Sequence, residues 1–131
     1  MKDFVKLALA LAAGAAAGFG AARSTVEPER PAFLVVLGKV KDREAFAAGY
    51  TAKLPPVYAQ YGGSYLVAGR NFEILEGDGD FEAMVISRWP SMEAGRAFWN
   101  SPEYAPLREA RIANAWGEFD VYLVEGLPPR D

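Results

Sequence analysis

Apolar residues recur with a helical spacing in the stretch that follows Trp89. Their offsets from the first are three, six and seven, and the residues are Met92, Gly95, Phe98 and Trp99. This spacing is typical of one buried face of an α-helix. Pro90 ends the preceding strand, and Ser91 is placed to cap the first free N–H groups of the helix. Asn100–Pro102 interrupts the pattern, and Ser101 is predicted to cap a second helix whose first residue is Pro102.

Short apolar runs elsewhere predict β-strands, at Phe33–Val40, Ser64–Ala68, Ala83–Trp89 and Gly117–Glu125. A helical pattern capped by Asp42 follows the first strand, and Pro55-Pro56 is predicted to interrupt it before a short piece at Val57–Tyr61. Gly62-Gly63 ends that piece because glycine readily adopts the left-handed cap conformation. The order β-α-β-β-α-β predicts an α+β, ferredoxin-like fold, with an antiparallel sheet and two broken helices on one face.

The segment between the second and third strands is predicted to bend and then turn back. Gly69–Asn71 has the character of a bulge, and Phe72–Leu75 is predicted to resume the extended chain. Glu76–Asp80 is then the hairpin connection. Its acidic residues alternate as in some calcium loops, but they lack the spacing and the closing glutamate of an EF-hand. We therefore interpret it as a solvated turn.

The predicted strands are apolar on both faces, whereas the two helices cover only one face of the sheet. The open face would expose a larger apolar patch than a monomer usually tolerates. A second copy packed sheet to sheet in a two-fold dimer is the simplest cover. A small ligand or a loop on that face is the alternative.

The N-terminal region differs in composition from the rest of the chain. A basic start is followed by Leu7–Ala22, sixteen residues without a charge that end in small residues. This pattern predicts that residues 1–22 are a cleaved signal peptide, and the protein is then periplasmic or secreted. The alternatives are an uncleaved anchor in the inner membrane, although the run is shorter than the ~20 residues of a comfortable span, and a soluble helix. Residues 23–31 are a polar linker, and residues 32–128 form the domain.

Composition excludes several kinds of chemistry. The chain contains no cysteine and no histidine, so thiolate and histidine metal sites, cysteine nucleophiles and Ser-His-Asp catalysis are excluded. The formal charge of −3 argues against a nucleic-acid partner. We predict no metal and no cofactor, since no carboxylate cluster stands out and a heme would lack a histidine or cysteine ligand.

A set of short motifs, in this order, resembles the bacterial domain of unknown function numbered 1330. The motifs are Gly62-Gly63-Ser64-Tyr65-Leu66-Val67, Glu76-Gly77, Pro90-Ser91-Met92-Glu93-Ala94 with Phe98, Asn100-Ser101-Pro102-Glu103-Tyr104, Leu107-Arg108 and Leu123-Val124-Glu125-Gly126. The resemblance covers about Ala32–Pro128. It implies similarity to the dimeric α+β barrel proteins, in which two ferredoxin-like units form one barrel. Relatives by fold include cofactor-free monooxygenases, lactone isomerases and heme-degrading enzymes, but the fold alone does not establish a function.

Candidate ligand-binding residues lie near the predicted bulge and on the two helices. Those near the bulge are Tyr65, Arg70, Asn71 and Glu73, and those on the helices are Tyr50 and Trp99. Bulges often re-aim side chains near sites, and the helical aromatics are placed to form the wall of a pocket between helices and sheet. The alternatives are that the aromatics are core residues and that Arg70 is an ordinary surface or interface charge.

Other charged residues are interpreted as structural. Asp120, if it points inward, needs a partner, and Arg88 is the candidate. Arg108, Glu109 and Arg111 are predicted to form a solvated helix face.

Three functional hypotheses remain open from the sequence. The first is a module that binds a small apolar or aromatic molecule in a pocket between helices and sheet. The second is a cofactor-independent enzyme of the monooxygenase or isomerase kind, and the third is a structural homodimer that serves as an interaction module.

Overall fold

The computed structural model describes residues 29–130, so the predicted signal peptide or anchor at residues 1–22 and most of the linker lie outside the described residues. Its four strands form one antiparallel sheet in the order β2-β3-β1-β4. They are β1 (Ala32–Val40), β2 (Ser64–Gly69), β3 (Ala83–Trp89) and β4 (Gly117–Glu125). All four predicted strands are thereby confirmed, and the chain has an α+β fold.

One helical segment connects β1 to β2 and another connects β3 to β4, and each is divided into two helices. The first contains α1 (Arg43–Gly49) and α2 (Leu54–Tyr61), with a 3-10 turn at Thr51–Lys53 between them. The second contains α3 (Met92–Trp99) and α4 (Ala105–Ala113). Two predicted caps are confirmed, since the side chains of Asp42 and Ser91 accept hydrogen bonds from Ala45 N and Ala94 N, respectively, each at 3.1 Å.

The break in the first helical segment lies earlier than predicted. It falls at Tyr50, which has a non-helical backbone, and α2 begins at Leu54 with Pro55 and Pro56 in its first turn. Prolines are tolerated there because the first N–H groups of a helix have no partner within it. The prolines therefore start α2, and the prediction that they interrupt a helix is wrong. The predicted end is correct, because Gly62 has the left-handed φ of 82°.

The break in the second segment depends on Ser101. Its Oγ donates to Phe98 O at 2.8 Å and accepts from Tyr104 N at 3.0 Å, so one hydroxyl joins the end of α3 to the turn that precedes α4. Pro102 lies in this turn, and α4 begins only at Ala105. The prediction of Pro102 as the first helical residue was three positions early.

The connection from β2 to β3 differs most from expectation. The irregularity in β2 lies between Tyr65 and Val67 rather than at Gly69–Asn71. Phe72–Leu75 has no strand pairing, although Phe72 stacks on Phe81 at 5.1 Å. The prediction of an extended strand at Phe72–Leu75, which rested on strand propensity, is therefore wrong. The segment is part of a loop in which two aromatic side chains pack on each other.

The core lies between the helices and one face of the sheet. Its largest fully buried side chains are Trp89, Phe98 and Tyr104. Trp89 stacks on Phe98 at 4.6 Å, and Tyr104 lies 4.5 Å from Phe98. Gly95 lets α3 approach β4, because a Cβ at this position would be 2.8 Å from Leu123 Cδ1. The predicted stripe of the second segment therefore faces the core.

The other face of the sheet carries apolar side chains in contact with solvent. Val67, Tyr122 and Val124 are 43%, 57% and 50% exposed. Asp120 is also exposed on this face, and it pairs with Leu37 of β1, whereas Arg88 pairs with Phe33. Arg88 is on β3 and Asp120 is on β4, the two strands that flank β1, and their partners on β1 are four residues apart. This separation is too large for an ion pair. Asp120 therefore does not point inward, and the condition under which Arg88 was its candidate partner is not met.

Within residues 29–130, no helix has the length and apolar character needed to cross a membrane.

Candidate functional site

A cavity of about 300 Å³ lies between the helices and the covered face of the sheet. Most of its wall is aliphatic or aromatic. The lining residues are Leu34, Val36, Gly38, Val40, Phe46, Tyr50, Thr51, Leu54, Tyr58, Tyr65, Ala68, Ala83, Val85, Phe98, Trp99, Tyr104, Arg111, Phe119 and Val121. Concave, largely apolar sites with a few convergent polar groups are typical of small-molecule binding.

The floor of the cavity follows from the alternation of side chains along the central strand. Leu34, Val36 and Gly38 of β1 face the helices because successive side chains of a strand point to opposite faces. Gly38 is required at its position, since a Cβ there would be 2.2 Å from Phe119 Cδ1. The ring of Phe119 therefore lies over the β1 backbone and forms part of the wall at this end of the cavity.

A pair of tyrosines from the two helical segments meets at the cavity. The hydroxyl groups of Tyr50 and Tyr104 are 2.6 Å apart, and either can be the donor. Burial, and after it the neighbouring Tyr104 phenol, raise the pKa of Tyr50 above its ordinary range. Tyr50 therefore stays neutral at physiological pH and acts as a hydrogen-bonding group.

A second group of aromatic residues closes the side of the cavity next to β2 and β3. Tyr58 stacks on Tyr65 at 4.5 Å between ring centroids. The hydroxyl of Tyr58 donates to Ser87 Oγ at 3.3 Å, and Trp89 Nε1 donates to the same oxygen at 3.0 Å. Burial raises the pKa of both Tyr58 and Tyr65, so these phenols also remain protonated.

Arg111 is the cationic residue of the cavity wall, and the prediction of a solvated position for it is wrong. The side chain is only 8% exposed. Its Cζ lies 5.2 Å from the ring centroid of Tyr50 and 5.1 Å from that of Phe119, which are cation–π distances. Arg111 follows Tyr104 and Leu107 at helical spacing on the inner side of the second helical segment, and this spacing was the signal in the sequence that could have identified it.

Arg108 also departs from the predicted solvated face. Its Nη1 donates to Trp99 O at 2.8 Å, and its guanidinium lies over the rings of Trp99 and Tyr104 at 5.2 and 5.6 Å. This residue joins α4 to the last carbonyl groups of α3. Of the predicted solvated face, only Glu109 is exposed.

The structure brings together half of the predicted site residues. Tyr50, Tyr65 and Trp99 line the cavity. Arg70, Asn71 and Glu73 lie outside its wall, in the exposed connection between β2 and β3, where Arg70 Nη2 lies 3.9 Å from Glu82 Oε1. These three were selected on the assumption of a bulge at Gly69–Asn71, and the observed irregularity is closer to Tyr65.

The described residues do not contain a cluster of acidic side chains that could bind a metal ion. Across residues 29–130, acidic side chains do not come together in a group of three or more that is able to hold a metal ion. The titratable residues that line the cavity are tyrosines and Arg111, which are hydrogen-bonding groups rather than metal ligands of choice.

Comparison with known proteins assigns the chain to a family. The family described as Domain of unknown function (DUF1330) matches residues 31–127. The chain belongs to this family. Among curated proteins, none matches it significantly.

Solved structures share the fold of this DUF1330 chain. The RPA0582 protein of unknown function from Rhodopseudomonas palustris has a TM-score of 0.58 at 22% identity, over 84% of this chain and 92% of that one. The structure of methylated RPA0582 has a TM-score of 0.58 at 21% identity, over 86% and 92%. The solution structure of the hypothetical Arabidopsis thaliana protein AT3G17210 has a TM-score of 0.51 at 18% identity, over 81% and 94%. At these identities the likeness concerns the fold.

Proposed function

We propose that this protein binds a small apolar or aromatic molecule in the cavity between the helices and the sheet. The observation that carries the proposal is the cavity itself, about 300 Å³ with a wall of aliphatic and aromatic side chains. Its volume is at the lower end of the ~300–1,000 Å³ found for ligand pockets, and the few polar groups are hydroxyls and one guanidinium. Such a wall provides contact area for an apolar body and hydrogen bonds for orientation.

Ligand-detected NMR with a panel of one- and two-ring aromatic compounds tests this proposal directly. Ala83 lines the cavity, and the variant Ala83→Phe fills part of the space. The matched control is Ala113→Phe, since Ala113 is exposed at the end of α4. We expect binding to the native protein and the control, and at least tenfold weaker binding to Ala83→Phe. The proposal is contradicted if Ala83→Phe binds as tightly as Ala113→Phe. It is also contradicted if no compound of the panel binds to the native protein.

The cofactor-independent enzyme is the weaker alternative. A reaction of the monooxygenase or isomerase kind needs a group that accepts a proton from the substrate. The ionisable residues of the cavity wall are tyrosines and Arg111, and burial raises the pKa of Tyr50 and Tyr65 so that they remain protonated. They are suited to donate hydrogen bonds to a ligand, which favours binding over proton abstraction.

We further propose that two copies pack through the open face of the sheet, as two ferredoxin-like units that form a dimeric α+β barrel. The support is the apolar character of that face, where Val67, Tyr122 and Val124 are 43%, 57% and 50% exposed. Sedimentation at micromolar concentration should give a dimer, and Val124→Lys should give a monomer. Ile112→Lys is the control, because Ile112 is 64% exposed on α4. A monomeric native protein contradicts this dimer.

Export remains a proposal based on the composition of residues 1–22. We propose that the segment directs the domain out of the cytoplasm, either as a cleaved signal peptide or as an anchor in the inner membrane. Mass spectrometry of the protein from its native cell distinguishes the two. A mature N-terminus near Arg23 indicates cleavage, and an intact chain in the membrane fraction indicates an anchor. An intact chain in the cytoplasm contradicts export.

A further inference from the structure

Arg111 is a buried cation that lacks an anionic partner within the described part of the chain. The three ion pairs among residues 29–130 are Lys39–Asp80, Lys41–Glu118 and Arg70–Glu82, and none includes Arg111. Its Nε is buried without a hydrogen-bond partner. A guanidinium is cationic, and a buried charge is costly unless it is paired and hydrogen-bonded.

The aromatic rings stabilise the guanidinium only in part. Tyr50 and Phe119 lie at cation–π distance from Cζ, and Phe46 stacks on both rings at 5.1 and 5.4 Å. Ring faces attract positive charge, but they do not accept the in-plane hydrogen bonds of the N–H groups with the strength of a carboxylate. Residues 29–130 therefore leave this guanidinium without an anionic partner.

The surface next to this end of the cavity is also cationic. A surface depression shares Trp99, Arg111, Phe119 and Val121 with the cavity wall. Its other charged residues are Lys41, Arg108 and Glu118, so cations outnumber the single carboxylate. A concave surface with this charge raises the local concentration of anions.

We propose that the cavity takes a small aromatic carboxylate whose carboxylate group pairs with the guanidinium of Arg111. This inference rests on the proposed ligand-binding function and adds the chemical class of the ligand. The Arg111 side chain lines the cavity, and a planar guanidinium can bind both oxygens of a carboxylate at once. The aromatic body then lies against Leu34, Val36 and Val85, which form the apolar wall.

The volume of the cavity limits the size of the ligand. A dry apolar cavity of ~150 Å³ holds one benzene molecule. The present cavity, about 300 Å³, has roughly twice that volume, so an acid with one or two fused rings fits. 2-Naphthoate is therefore a suitable probe, and 2-naphthalenemethanol is its neutral counterpart of nearly equal shape.

Titration calorimetry or fluorescence with the two probes at pH 7 tests the inference. The native protein should bind 2-naphthoate at least about tenfold more tightly than 2-naphthalenemethanol, as expected for a charge-assisted pair. In Arg111→Met the preference for the acid should disappear, while the affinity for the alcohol stays within about threefold. Arg96→Met is the matched control, since Arg96 is exposed on α3 and lines neither concave surface; its preference should equal that of the native protein.

The possible outcomes separate this inference from the proposed function. Equal affinity of the native protein for the acid and the alcohol overturns the role of Arg111 and leaves ligand binding intact. A preference for the acid that persists in Arg111→Met has the same meaning. If neither probe binds, the proposed function fails and this inference falls with it. Should Arg111→Met not fold, the Nε–H resonance of Arg111 in the native protein provides the same decision. It should shift on addition of 2-naphthoate and not with the alcohol; an unchanged resonance at saturation overturns the inference.

Discussion

Replacement of Ser87 by alanine tests how the polar groups of the aromatic core are satisfied. Ser87 is fully buried, and its Oγ accepts hydrogen bonds from Trp89 Nε1 at 3.0 Å and from the Tyr58 hydroxyl at 3.3 Å. Ser87→Ala removes a single oxygen atom. The aromatic packing is left in place, but two buried donors lose their acceptor.

The magnitude follows from the number of donors left without a partner. An unsatisfied buried donor costs about 1–3 kcal/mol. The shorter bond from Trp89 is expected to contribute most, and the longer one from Tyr58 less. We therefore expect a loss of about 2–4 kcal/mol in the free energy of unfolding. For a domain of this length, each kcal/mol lowers the melting temperature by about 4–8 °C.

Urea denaturation followed by tryptophan fluorescence measures this loss. Ser64→Ala is the matched control, because Ser64 is exposed on β2, and it should change the free energy by less than about 0.5 kcal/mol. In the Ser87→Ala background, Tyr58→Phe removes a hydroxyl that has lost its acceptor, so it should cost less than in the native protein. A cost below about 0.5 kcal/mol for Ser87→Ala, or equal costs of Tyr58→Phe in both backgrounds, would refute the reasoning.

Three further changes have expected outcomes. Gly62→Ala should lower the free energy of unfolding by about 1 kcal/mol, because Gly62 has a φ of 82°; Gly69→Ala is the control, since a Cβ there meets nothing within 4 Å. Asp42→Ala should cost about 1 kcal/mol through loss of the cap on Ala45 N, and an unchanged denaturation midpoint contradicts this. Burial raises the pKa of Tyr50, so its contribution to stability should be complete below pH ~10, where unfolded tyrosine ionises, and should be lost as the pH rises further. The free energy of unfolding should therefore fall from pH 9 to 12 in the native protein and fall less in Tyr50→Phe. A constant free energy in the native protein, or an equal fall in the two proteins, contradicts this.

The strands and caps were predictable because they depend on local patterns. Alternating or continuous apolar runs located all four strands, and the capping side chains of Asp42 and Ser91 act on backbone groups three residues away. The exact breaks in the helices were not predictable in the same way. Pro55 is compatible with either the end or the first turn of a helix, and the packing of Leu54 and Tyr58 in the core decides for the first turn.

The presence of a cavity was predictable, because aromatic side chains of helices that pack over a sheet form the wall of a pocket between the two. The residues that line the cavity were predictable only in part. Tyr50 and Trp99 were identified from their positions in the helical pattern, and Tyr65 from its place near an assumed bulge. Arg70, Asn71 and Glu73 were selected from an assumed bulge, and the register of β2 with β3 places the irregularity elsewhere. Such a shift depends on which residues of two strands pair, and short-range patterns do not specify that.

By itself, the sequence determined the α+β class, the four strands, two broken helical segments and membership of the DUF1330 family. The helical spacing of Leu107 and Arg111 also indicated the inner side of α4, although Arg111 was predicted to lie on a solvated face. Only the tertiary structure decided the environment of that arginine, because burial results from the approach of Tyr50, just after α1, and Phe119 of β4. Helical periodicity states which direction a side chain faces, whereas the charge and polarity around it depend on elements distant in the chain.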